Sequence, residues 1–221
     1  MLKHLAIRGF KSLKDVTVEF PRVAVLFGPN AAGKSNLLDA IQALSRIGTQ
    51  QTLADALGEP IRGYPVEAFL FPASGLAGLL TAPSAAFSIE ADLTRDKDTY
   101  RYAVEVEINP DSGTLAVADE LLCAVGKDGE RKGAAAIEQV EGKFRVRRKS
   151  EAGRPRYESL RQNYAILSDQ RLGVPQYPSI EQRRPSATAR AHRPAPALPC
   201  HRTRTTGDYH HALAPVLRFH A

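Results

Sequence analysis

The chain has 221 residues, with 30 Lys and Arg against 24 Asp and Glu, two cysteines and no tryptophan. That length allows one large domain or two small ones around a sizeable core. No charged start followed by an apolar segment, and no uncharged span of roughly 18 strongly apolar residues, marks secretion or a bilayer crossing, so the cytoplasm is expected and no membrane partner. Cys123 and Cys200 have neither metal-site nor disulfide-scaffold spacing and are expected to be plain thiols.

Residues 23–27 (Val-Ala-Val-Leu-Phe) lack polar alternation, the pattern of a strand buried on both faces of a parallel sheet. They run into Gly28-Pro29-Asn30-Ala31-Ala32-Gly33-Lys34-Ser35, which fits the spacing G-x-x-x-x-G-K-[ST]. Glycines at both ends let the backbone curl closely around phosphate oxygens, so that successive N–H groups and a helix N-terminus face the anion. A lysine at position 34 then reaches the β- and γ-phosphates, and a hydroxyl at position 35 ligates Mg²⁺. Leu37, Leu38, Ile41, Leu44 and Ile47 recur at the three- and four-residue spacing of one helix face, with Gly48 as the C-terminal cap. Strand, loop and helix thus read as one unit that binds a nucleoside triphosphate.

Residues 68–87 carry no charge, yet Pro72 and Pro83 break a helix and Gly75 and Gly78 weaken it, so a surface loop with a short helix near Leu76–Leu80 is expected rather than a span. From Phe87 the period changes. Tyr100, Tyr102, Val104, Val106 and Ile108 alternate with Arg101, Glu105 and Glu107, the mark of a strand with one wet face. Turn chemistry at 109–113, 127–129 and 141–143 separates further short strands, which predicts an antiparallel β-rich region over about 85–150. Within it, residues 115–120 end in Asp119-Glu120 after four apolar residues. They read either as a strand of a hairpin, which their place beside a turn favours, or as the acidic motif that holds Mg²⁺ and polarises the attacking water in hydrolysing enzymes.

Residues 7–12 (Ile-Arg-Gly-Phe-Lys-Ser), placed upstream of a loop that reads GPNAAGKSN, resemble the start of the RecF/SMC/Rad50-like branch of ABC-type ATPases, which includes bacterial AAA-family and OLD-like ATPases. The resemblance covers residues 2–48 and extends in pattern to about 182. It implies Mg-ATP as ligand: Gly28 to Gly33 cradle the phosphates, Lys34 neutralises them, Ser35 holds the metal and Asn36 lies beside the α-phosphate. It also implies that Lys11 or Arg8 lies near the nucleotide, although a solvated charge beside a strand is the plainer reading of either. Gln170 is the nearest match to the glutamine that senses the γ-phosphate. In the family, two lobes sandwich ATP between the loop of one and an LSGG-like signature of the other, as in a homodimer, and couple ATP state to action on DNA or to defence against foreign DNA. The signature, the later acidic motif and the switch histidine have no counterpart here, so binding without efficient turnover is expected.

Residues 183–221 differ from everything before them: seven arginines, five of the six histidines and one acid, Asp208. They account for the whole net charge of +6, because residues 1–182 hold 23 basic and 23 acidic residues. No sustained apolar period runs through them, which predicts a disordered tail, and the histidines are too irregular for a metal site. The tail reads either as out-of-frame translation near residue 182 of a longer ATPase or as a basic arm that binds nucleic acid by charge; in the latter case the chain acts as a noncatalytic interaction fragment. The expected fold is therefore α/β: an ATP-binding lobe over 1–182 with a mixed sheet, phosphate loop and helix, its β-rich region, and the tail.

Overall fold

The computed structural model describes residues 1–147, 156–159 and 162–168, and the backbone of 216–218. Strands β1 (Leu2–Phe10) and β2 (Leu13–Glu19) form a tight hairpin whose corner places Gly9 and Lys11 at positive φ, 70° and 50°. After β3 (Val25–Phe27) comes the phosphate loop, then α1 (Lys34–Ile47) and the short α2 (Leu53–Leu57). A 3-10 turn at Pro65–Ala68 leads into the uncharged segment, in which α3 (Gly75–Leu80) is the expected short helix. A meander of long strands follows, β4 (Ala85–Arg95), β5 (Asp98–Asn109), β6 (Thr114–Val125) and β7 (Arg131–Val140), then the shorter β8 (Lys143–Val146) and β9 (Arg156–Ser159). The expected turns at 109–113, 127–129 and 141–143 all join strands of this meander.

These strands make an eight-stranded sheet in the order β2-β1-β4-β5-β6-β7-β8-β9, every neighbouring pair antiparallel. Chain from before the phosphate loop thus joins the β-rich region through β1 and β4, where Ile7 lies opposite Ile89. Period-2 alternation puts Leu5, Ile7, Val18, Phe87, Ile89, Tyr102, Val104 and Leu122 on one buried face. That face packs against Leu37, Ala40, Ala43, Leu44 and Ile47 of α1, Leu53 and Leu57 of α2, and Phe69. At its centre the Phe87 ring lies 5.2 Å from that of Phe10, edge to face, and 5.1 Å from that of Phe69.

Two expectations change here. Leu38 is 59% exposed rather than on the buried stripe, because the helix presents 37, 40, 44 and 47 to the sheet and position 38 falls a third of a turn away. Gly48 does cap α1, but at a φ of −77°, and a Cβ there would meet the Leu167 side chain at 3.2 Å. The second change concerns β3. It stands outside the large sheet, paired in parallel with β10 (Val216–Arg218), and Val23, Val25 and Phe27 are 66, 53 and 42% exposed. Leu26 alone packs against the core, so one face of β3 is partly covered while the face that carries Val25 and Phe27 stays open among the described residues. Apart from Val216–Arg218, the expected disordered tail lies outside the described residues, as do Gln170 and Cys200.

Candidate functional site

The loop between β3 and α1 takes the conformation its glycines were expected to allow. Gly28 has φ 150°, Ala31 φ 65°, and Gly33, the residue that precedes α1, sits in the left-handed region at φ 85°, ψ 2°. Gly33 also has little room for a Cβ, which would lie 3.2 Å from Leu13 Cδ2 and 3.5 Å from Ser12 Oγ. The Lys34 ammonium reaches back over the loop and donates to the carbonyl oxygens of Gly28 (2.9 Å) and Pro29 (2.6 Å). Ser35 is exposed in the first turn of α1, Pro29, Asn30 and Ala31 are exposed on the loop, and Ala32 and Asn36 are half-buried. The first N–H groups of an α-helix have no partners within the helix, so this end of α1 offers donors and the positive end of a helix dipole.

A polar network that local sequence did not reveal fastens this unit to its surroundings. Asp39, one turn after Ser35, is buried on α1 and accepts from Lys11 Nζ (2.5 Å) and from Arg62 Nη2 (2.8 Å) and Nε (3.3 Å). Burial alone would push the Asp39 carboxyl up, but the hydrogen bonds from Arg62 and Lys11, with their charges, outweigh it and hold it below the ordinary carboxylate range. Lys11 Nζ also donates to the carbonyl of Arg62 (2.7 Å), and Arg62 Nη2 donates to Asn36 Oδ1 (3.2 Å). Asn36 Nδ2 in turn donates to Ser12 Oγ (2.7 Å). The hairpin corner at 9–12, the first turns of α1 and the loop around Arg62 are thereby tied together beside the phosphate loop. Arg8, by contrast, pairs with Asp15 on the open face, 3.4 Å away and two-thirds exposed, as a solvated charge would.

Asp119 and Glu120 lie in β6, so the hairpin reading of this segment is the one the fold supports. Glu120 is fully buried in the core, where its carboxylate accepts from the N–H of Ile166 (2.6 Å), the N–H of Leu167 (2.9 Å) and the Tyr102 hydroxyl (3.1 Å). Burial pushes its carboxyl up, the three hydrogen bonds pull it back, and the balance is about 7. The residue is a structural tie between β6 and segment 162–168, far from the phosphate loop in role. His4, Glu90 and Asp92 bring ligand atoms within 4.8 Å of one another on the open face. Arg101 already occupies both Asp92 oxygens, at 2.8 and 2.9 Å, and lies 3.3 Å from Glu90, so the cluster is an ion-pair row rather than a metal centre. Cys123 is a free, buried thiol. Among the described residues no helix is long and apolar enough to cross a membrane.

Comparison with known proteins bears on the same unit. The proteins named "DNA replication and repair protein RecF" from Lactobacillus acidophilus and Trichodesmium erythraeum are 42% and 40% identical to this chain over 55 residues, 24% of its length. The chain spans only 15% and 14% of the length of these two curated relatives. A solved structure of the recombination mediator RecF with ATP is similar over 60% of this chain and 28% of its own, at 23% identity and a TM-score of 0.33. The family model described as "AAA domain, putative AbiEii toxin, Type IV TA system" matches residues 23–197, well over half of the chain. The chain therefore belongs to this AAA-domain family, with an α/β fold that contains a large antiparallel sheet.

Proposed function

We propose that the unit formed by Gly28 to Asn36 binds Mg-ATP. The observation that carries this is the lysine: its ammonium lies over a loop whose two glycines adopt backbone angles other residues rarely reach, at the N-terminal end of a 14-residue helix. Backbone amides from Gly28 through Gly33, including those of Asn30, Ala31 and Ala32, would cradle phosphate oxygens. Pro29 lacks an N–H and would shape the turn instead. Lys34 would exchange its two carbonyl acceptors for the β- and γ-phosphates, an exchange that strengthens its hydrogen bonds because the new acceptors are charged. The donor set also suits Mg²⁺, a hard ion that keeps several waters and needs few protein oxygens, of which the exposed Ser35 hydroxyl would supply one. Asn36, held by Ser12 and Arg62, would lie beside the α-phosphate.

The same reading makes residues 1–182 one nucleotide-binding lobe of a cytoplasmic protein, with 183–221 as a separate tail. Slow or no turnover is expected of it, since among the described residues the acidic candidate, Asp119-Glu120, lies in β6, where Glu120 is tied into the core. Association of two lobes around ATP, and an ATP-dependent action on DNA or on invading DNA, are what the resemblance supports as the wider role. Calorimetric titration of Mg-ATP into the wild-type chain and the Lys34→Ala variant tests the core of the proposal. Saturable binding lost in the variant supports it; equal binding by both, or none by a folded wild type, refutes it.

A further inference from the structure

The described residues hold three buried carboxylates, on Asp39, Glu120 and Glu138. Two are matched by cations: Lys11 and Arg62 surround Asp39, and Arg131, Arg145 and Arg147 surround Glu138. Glu120 differs. It is the most deeply buried of the three, at 0% exposure, yet its partners are two backbone amides and a phenol, none of which is a cation. A buried carboxylate without a counter-charge is costly to keep ionised, whereas a hydrogen-bonded carboxylic acid in the same place is not. The three partners suit either form. The N–H groups of Ile166 and Leu167 donate to the two oxygens in both, while the Tyr102 hydroxyl can donate to the carboxylate or turn and accept from the O–H of the acid.

What these bonds hold is a separate piece of chain. Glu120 lies on β6, and the amides belong to residues 46 and 47 positions further on, in a single 3-10 turn at Ile166–Ser168. Elsewhere in segment 162–168 the Val117 N–H donates to the Gln162 carbonyl (2.8 Å) and the Leu53 N–H to that of Asn163 (2.7 Å). Ala165 and Ile166 are part of the core, and Leu167 packs against it with its side chain beside Gly48. Gly48 caps the C-terminal end of α1, the helix whose other end bears the phosphate loop. The segment thus bridges β6, the start of α2 and the foot of α1, with an acid as its buried anchor.

We propose that Glu120 makes segment 162–168 a proton-held clasp, shut on the sheet and the foot of α1 while the carboxyl keeps its proton and loosened when it ionises. Opening carries Ile166 and Leu167 away and admits water, which takes up the proton and solvates the carboxylate. Asp119, the next residue on β6, adds like charge that favours the proton, and Tyr102 comes from β5. On α2 the exposed Asp55 is bonded by Thr52, and on α1 Arg46 donates to the carbonyls of Asp55 and Ala56. The segment itself carries no acid or base except the Tyr164 phenol. The Glu120 carboxyl stands at about 7 in the shut state against 4.5 when free, chiefly through burial. Closure is therefore fully favoured below 4.5, weakens as pH rises from 4.5 to 7, and changes little above that. The clasp goes beyond nucleotide binding and does not depend on it.

The test is hydrogen exchange of the full chain between pH 5 and pH 8, expressed as protection factors so that the intrinsic pH dependence of exchange is divided out. In wild type the protection of the Ile166 and Leu167 amides should fall by roughly 70-fold over that range, whereas in Glu120→Gln it should stay constant. The amides of Ile89 and Val104, at the centre of the sheet, should remain better protected than the segment at every pH, because the clasp opens without unfolding the sheet. The wild-type course is decisive even if the variant folds poorly. Wild-type protection that does not change with pH, a Glu120→Gln course that falls as wild type does, or segment amides that exchange no faster than those of Ile89 and Val104 would each overturn the proposal.

Discussion

Glu120 gives the fold a pH dependence that can be worked through from its surroundings. Its carboxyl titrates near 7 in the folded chain against 4.5 for the free side chain, because burial disfavours the charge more than three hydrogen bonds restore it. Below pH 4.5 the group is protonated in both states and has no effect. Between 4.5 and 7 the unfolded chain ionises while the folded chain keeps the proton, so stability falls as pH rises; above 7 the loss is constant. At about 1.4 kcal/mol per pH unit the full loss is about 3 kcal/mol, a sizeable share of a typical domain's stability. Glu120→Gln keeps the side-chain shape and an acceptor oxygen but cannot ionise. Relative to wild type it should therefore gain about 2.5 kcal/mol in urea unfolding on going from pH 5 to pH 8, the rest of the loss falling below pH 5. Other groups that titrate in this range are common to both proteins and cancel in the comparison, while Asp39 and Glu138, both held low, titrate below it. A variant whose stability follows the same pH course as wild type would refute the argument, because Glu120 would then be ionised in the fold at pH 5 or as well solvated as in the unfolded chain.

Asp39→Asn should lower stability by about 3 kcal/mol in denaturant titration, since it strips a nearly buried ion pair of its acid and leaves the Lys11 ammonium against a carbonyl alone. The wild-type contribution of Asp39 is present above its unfolded value of 3.8 and fades as pH falls below it, so the variant should lose less on acidification than wild type does. Gly9→Ala should cost about 1–3 kcal/mol and several degrees of melting temperature, because the residue has φ 70° and an added Cβ would sit 2.8 Å from the carbonyl oxygen of Ala86. Phe87→Ala opens the centre of the aromatic cluster and should cost about 3–5 kcal/mol by the same measurement.

Much of the site was legible because its information is contiguous. The spacing of Gly28, Gly33, Lys34 and Ser35 encodes a backbone shape and a charge within one turn of chain, and the structure forms that shape with Gly33 left-handed ahead of α1. The β-rich region was legible for a related reason: alternation along Tyr100 to Ile108 reports that one face is buried, and turn residues mark where strands reverse. Periodicity states that a face is covered but never by what. Residues 23–27 carry an apolar run that would suit a doubly covered strand, yet the fold leaves β3 on a two-stranded pairing with both Val25 and Phe27 exposed. Leu38 fits a helical repeat and still points to solvent, since the sheet meets only one stripe of α1.

Sequence by itself thus determined the phosphate loop, its helix and the antiparallel meander, because each depends on residues within a few positions of one another. Tertiary structure alone decided that β1 joins β4 and carries Lys11 to Asp39, that Arg62 closes the network on Asn36, and that Glu120 serves the core rather than the chemistry. It also drew Arg131, Arg145 and Arg147 around Glu138. These groups lie from seven to 47 positions apart along the chain, so no local pattern records their pairing. Their partners are set by which strands become neighbours, and that choice follows from burying the apolar faces, not from the charges themselves.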